Sequence, residues 1–144
     1  VRIGIISGYF NPLHTGHLDY IEDAKSRCNM LYAIVNSDTQ VGLKGSVAFM
    51  DEKSRERIVK ALAAVDHTLI AIDEDGTVVK SIEKIYQSNQ YDPFVESITF
   101  MNGGDQKEGR IPEEEYCQAN SIHTIFSVGG GKTQSSSSLI GDVQ

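Results

Sequence analysis

The chain has 144 residues, one domain's worth, and 40% of them are hydrophobic, enough to fill a single core. Formal net charge is −7, and the 13 basic residues are scattered, which argues against sequence-independent nucleic-acid binding. No apolar run reaches about eighteen residues, and no basic region followed by a long apolar stretch opens the chain. Neither a membrane span nor a secretion signal is therefore expected.

Residues 2–7 are Ile-rich and end at Gly8, which predicts a buried strand. Residues 16–28 predict a helix, with Leu18, Ile21, Ala24 and Cys28 at helical spacing and Asp19, Glu22, Asp23 and Lys25 between them. Its acidic residues fall in the early turns, where the helix dipole favours negative charge. Cys28 and Cys117 are far apart and lack metal-ligand spacing, so two reduced thiols in a cytoplasmic protein are expected. Residues 30–36 predict a second strand that ends at Ser37-Asp38. Residues 51–64 predict a second helix, capped by Asp51, with Ile58, Ala61, Leu62 and Val65 as its apolar stripe.

Residues 67–72 read as a third strand. Residues 77–87 read as a third helix with Val78, Ile82 and Ile85 inward. A fourth strand over 98–101 runs into Asn102-Gly103-Gly104-Asp105. A short helix over 113–120, a fifth strand over 122–128 and a last short helix from Ser135 complete the series. Strands alternating with helices predict one α/β domain with a central parallel sheet of about five strands, covered on both faces. Ligands of such sheets bind beyond the carboxyl ends of the strands. The polar motifs do follow strands: His14 and His17, Ser37-Asp38, Gly103 to Asp105, and Lys132 to Ser138.

His14-Thr15-Gly16-His17 places two imidazoles three residues apart across a helix start. Gly16 permits close approach of a phosphate, and the helix N-terminus supplies N–H donors. Imidazole donors there can stabilise charge on an α-phosphate under attack. Zinc is the weaker reading, because no third Cys or His ligand is near in sequence. Gly129-Gly-Gly-Lys132-Thr133 suggests a P-loop, but the required first glycine falls at Phe126.

Gly8-Tyr9-Phe10-Asn11-Pro-Leu-His14-Thr-Gly16-His17 resembles the HxGH signature of cytidylyltransferase-like nucleotidyltransferases. Asn36-Ser-Asp38, Leu43-Lys44-Gly45, Arg55, Val65-Asp66, Gly103-Gly104-Asp105 and Lys132 to Ile140 follow in that family's order. The chain resembles glycerol-3-phosphate cytidylyltransferases and the adenylyltransferase domain of ADP-heptose synthases.

The resemblance implies a Rossmann-like three-layer fold and transfer of CMP or AMP from an NTP to a phosphorylated acceptor. Glycerol 3-phosphate and a sugar 1-phosphate both fit as acceptor. CTP is the first donor expected, and ATP with heptose 1-phosphate is the alternative. His14, His17, Lys44 and Lys132 are then the catalytic residues. Lys44 lies in a loop after the second strand, and on its own would read as a solvated surface residue.

Gly8, Tyr9, Phe10, Asn11, Gly16, Arg55, Gly103, Gly104, Asp105, Thr133, Ser136, Ser137 and Ser138 would bind the nucleotide. Arg55 would contact phosphate, unless it merely pairs with Asp51 one helical turn away. Mg²⁺ would arrive with the triphosphate, with no metal site made by the protein itself. A homodimer is also implied. The chain departs from the family where Asn11 replaces the frequent Asp and Ala63 replaces a frequent basic residue. Those departures motivate a second class of function, a nucleotide-binding regulator without turnover.

Overall fold

The computed structural model describes residues 1–104 and 111–130. Among them are five strands, β1 (Arg2–Gly8), β2 (Met30–Val35), β3 (His67–Ile70), β4 (Ser97–Gly103) and β5 (His123–Val128). They alternate with helices α1 (Thr15–Ser26), α2 (Asp38–Leu43), α3 (Glu52–Lys60), α4 (Val79–Asn89) and α5 (Glu113–Ala119). The strands pair in parallel in the order β3-β2-β1-β4-β5, so the expected α/β architecture is present.

β1 lies at the centre, and its side chains alternate between two cores. Ile3 and Ile5 pack with Ile34, Ile82, Ile85, Phe100 and Cys117 on one face. Ile6 packs with Ile21, Ala24, Leu31, Val59 and Met101 on the other. These three isoleucines are at most 1% exposed, and each contributes about 2 kcal/mol through removal from water. Gly4 occupies the second face because nothing larger fits: a Cβ there would lie 2.8 Å from Cys28 Sγ and 2.9 Å from Met101 Cε. Both cysteines are buried free thiols, and burial with the nearby Glu113 and Glu114 pushes Cys117 up to about 12.

Helix α2 is the element that periodicity misses, since its 6 residues are too few for a helical repeat to show. Its signals are local. Ser37 and Gln40 form a capping box: the Gln40 N–H donates to Ser37 Oγ (3.2 Å), and the Ser37 N–H to Gln40 Oε1 (3.1 Å). The other end is a Schellman motif, with Ser46 N–H to Val41 O at 3.1 Å and Gly45 N–H to Gly42 O at 3.0 Å. Gly45 takes φ +80° there, a value that asks for glycine. Lys44 therefore terminates a helix and does not belong to an open loop.

Helix α3 is shorter than expected and turns a different face inward. Asp51 lies just outside it, and its carboxylate accepts the Ser54 N–H at 2.8 Å. Ile58, expected inside, is 39% exposed, while Arg55 and Val59 are buried one turn apart. A hydrophobicity pattern assigns a guanidinium to the surface, so the true stripe is invisible to it.

Smaller shifts have local causes. β3 ends at Ile70 and not at 72. α4 starts two residues late, where Asp73 accepts the Lys80 N–H (2.7 Å) and Ser81 N–H (3.1 Å), and Glu113 accepts the Val78 N–H (3.0 Å). β4 extends to Gly103. α1 carries no acid in its first turn, which is capped by histidine instead. The helix expected from Ser135 lies outside the described residues.

Two carboxylates tie crossovers to the sheet. Hydrogen bonds from Arg27 and from the Gly129 N–H hold Asp23 below the usual carboxylate range. Burial raises Asp66, but the Lys25 ammonium at 2.6 Å and the Leu31 N–H at 2.8 Å outweigh it and leave it lowered. A depressed carboxyl contributes stability that is complete above its unfolded value of about 3.9 and is lost as pH falls through the folded value. The melting temperature should therefore drop below about pH 4, and Asp66→Asn should flatten that drop. Thermal melts monitored by circular dichroism between about pH 6 and 3 check this, and an unaltered pH profile in the variant would count against it.

Candidate active site

The strand order reverses beside β1, with β2 and β3 on one side and β4 and β5 on the other. Ligands of open parallel sheets lie beyond such a switch point. The β1–β4 register ends at the Ile5–Phe100 pair, and the two neighbouring strands run on to Gly8 and Gly103.

Gly8 lets the chain fold back on itself. A Cβ there would meet the Phe10 ring at 2.8 Å, and Phe10 itself takes φ +50° and is 1% exposed. The Phe10 ring meets His17 edge-on, with centroids 5.0 Å apart at 70°. His17 in turn stacks on His14, with centroids 3.8 Å apart at 24°. The buried aromatic thus orients one imidazole, which orients the other.

The same two histidines form the cap of α1. His14 is the N-cap residue, and its Nδ1 accepts the Gly16 N–H at 3.1 Å. His17 Nδ1 accepts the His14 N–H at 3.2 Å, closing a capping box made of imidazoles. A ring nitrogen that accepts a backbone N–H carries no hydrogen, so each neutral ring holds its hydrogen on Nε2. The backbone therefore sets both tautomers and makes both Nε2 atoms donors.

Lys44, at the end of α2, lays its ammonium 3.8 Å from the centre of the Tyr9 ring. Burial raises the Tyr9 hydroxyl; the Arg55 charge opposes this and the Glu113 carboxylate adds to it. Asn11 is 1% exposed, and its amide reaches Val47 and Phe49 in the loop that follows Lys44.

Arg55 does not pair with Asp51. Its fully buried guanidinium donates to Met50 O (3.0 Å), Tyr9 O (2.9 Å), Asn36 O (2.7 Å) and Asp38 Oδ1 (2.7 Å). It joins the exits of β1 and β2 to α2 and α3. These four bonds go to the protein's own carbonyls and carboxylate.

Gln40 is the residue that sequence reasoning misses. Completely buried, it accepts from Asn36 Nδ2 (2.9 Å) and donates to Asp75 O (2.9 Å) and Thr77 O (2.8 Å). Its sequence signal is the Ser37-x-x-Gln40 spacing. On the β4 side, Gly103 faces the Tyr20 ring, which a Cβ would approach to 3.6 Å, while the Tyr20 hydroxyl donates to Met101 O. Gly104 follows at the strand exit. Asp105, Lys132, Thr133, Ser136, Ser137 and Ser138 lie outside the described residues.

The chain is 39% identical over 128 residues to the bifunctional protein HldE of Nitrobacter hamburgensis, covering 88% of this chain and 24% of that protein. It thus spans about a quarter of that relative's length. Its fold is similar to that of a lipopolysaccharide core biosynthesis protein from Thermoplasma volcanium, with TM-score 0.65 and 21% identity over 88% of this chain and 95% of that one. It is also similar to a bifunctional NMN adenylyltransferase/ADP ribose pyrophosphatase from Francisella tularensis, with TM-score 0.54 and 15% identity over 87% of this chain and 36% of that one. The cytidylyltransferase-like family model matches residues 5–119, which include the histidine turn, Lys44, Arg55 and Gly103-Gly104. The chain belongs to the cytidylyltransferase-like family of nucleotidyltransferases.

Proposed function

We propose that this chain transfers a nucleotidyl group from an NTP to a phosphorylated small molecule, with release of pyrophosphate. The observation that carries the reading is the imidazole capping box, which makes Nε2 of His14 and of His17 hydrogen-bond donors at the switch point. An oxygen of the acceptor phosphate attacks the α-phosphorus in line, and the pyrophosphate leaves with the bonding electron pair. The two Nε2–H groups offset charge that grows on the α-phosphate oxygens, and the Lys44 ammonium offsets phosphate charge. Arg55 acts by holding the Tyr9 and Asn36 carbonyls in place.

The resemblance to the adenylyltransferase domain of ADP-heptose synthases supports ATP as donor and a sugar phosphate as acceptor; the family's description as cytidylyltransferase-like supports CTP. Among the described residues no three His, Cys, Asp or Glu side chains cluster to hold a metal. A Mg²⁺ ion carried by the triphosphate would neutralise phosphate charge when bound.

Pyrophosphate exchange with each of the four NTPs tests the reading, run in the presence of acceptor, because direct in-line transfer leaves no nucleotidyl-enzyme to exchange. The acceptors are a panel of phosphorylated sugars and polyols and their unphosphorylated counterparts. Exchange with ATP or CTP, and product only from phosphorylated acceptors, is expected. No exchange with any NTP beside any phosphorylated acceptor, in a protein that still binds nucleotide, would favour the regulator over the enzyme.

A further inference from the structure

We propose that Asn11 is a positioning residue for Lys44: its side-chain amide ties the histidine turn to the loop that follows the lysine at the end of α2. Asn11 Nδ2 donates to Val47 O at 2.8 Å, and the Phe49 N–H donates to Asn11 Oδ1 at 2.8 Å. The two bonds have opposite polarity, so only a group with both a donor and an acceptor satisfies them. A carboxylate could still accept from Phe49, but it would set a negative oxygen against the Val47 carbonyl. Asn in place of Asp is thus a structural requirement of this loop, because the buried Asn11 side chain has little water to turn to instead.

The side chains of the loop do little to hold it. Val47 is 68% exposed and Phe49 60% exposed, so neither fixes the loop by burial. The loop is anchored at its start by the Schellman turn and at its end by Arg55 Nε on Met50 O. Asn11 secures the middle. Two residues away, the Tyr9 ring lies under the Lys44 ammonium. One turn of chain therefore sets the positions of residues 44, 47 and 49 relative to the histidines.

Two arms test this, and only the second rests on the proposed transferase reading. In the first, native-state trypsin cleavage after Lys44 is timed for the wild type and for Asn11→Asp. A rise of about tenfold at Lys44, with other sites unchanged, is expected from loss of the tether. Hydrogen exchange of the Phe49 amide in the wild-type protein is read alongside, and needs no variant to fold. Protection of that amide is expected, and exchange at the rate of an open loop would overturn the proposal.

In the second arm, nucleotidyl transfer is measured for Asn11→Asp, Lys44→Ala and the double variant. Asn11→Asp should lose about tenfold in the wild-type background and less than about twofold beside Lys44→Ala. Equal losses in both backgrounds would overturn the proposal. If no variant and no wild type shows transfer, the transferase reading fails while the cleavage and exchange results still decide the tether.

Discussion

His14→Asn is expected to keep thermal stability near that of the wild type and to lower nucleotidyl transfer by about two to three orders of magnitude. Asparagine is among the best N-cap residues, so its side-chain oxygen can take over the Gly16 N–H that His14 Nδ1 now accepts. It cannot supply an imidazole Nε2–H. His14→Ala removes both functions and should also cost about 1 kcal/mol of stability. His17→Ala removes the stack on His14 and the partner of the capping box, so it should lose rate and some stability together. Thermal melts beside initial rates separate the effects. Retention of most of the rate in His14→Asn would mean that the histidine serves the helix alone.

Arg55→Met is expected to destabilise the fold by about 3 kcal/mol or more, a fall of roughly 10 °C in melting temperature. The substitution strands three backbone carbonyls that the guanidinium now satisfies, while the partly exposed Asp38 carboxylate can turn to water. Arg55→Lys should recover only part of this, since a compact ammonium cannot match the planar fork. A residue that merely contacts substrate phosphate would behave otherwise, with activity falling and the melting temperature preserved. Calorimetry or circular dichroism on purified Arg55→Met, compared with Lys44→Ala, distinguishes the two roles.

These two residues show where the sequence is legible and where it is not. The alternation of strands and helices reads directly, because Ile3, Ile5 and Ile6 and the stripes of α1 and α4 follow simple periods. The histidine turn reads directly too, because its spacing is local. Arg55 is named by its motif, but its engagement with four oxygen partners depends on residues from 9 to 50, which no local pattern brings together. Ile58 and Val59 exchange places for the same reason, since the buried arginine sets the inward face of α3. Asn11 looks like a lost charge in the sequence, and only the fold supplies its partners at Val47 and Phe49. Helix α2 was within reach of its capping signals, Ser37 with Gln40 and Gly45 at the far end.

The imidazole cap has one more chemical consequence. For either histidine to serve as a general base through Nε2, its hydrogen would have to move to Nδ1, where it would point at the backbone N–H of Gly16 or of His14. The helix terminus thus locks the pair as acids in the hydrogen-bonding sense and denies them the opposite role. On the proposed reading, the attacking oxygen must arrive already negative, as a phosphate does near neutral pH and an alcohol does not. The fold of one helix end would then select the acceptor by its ionisation, before any contact with the rest of that molecule is made.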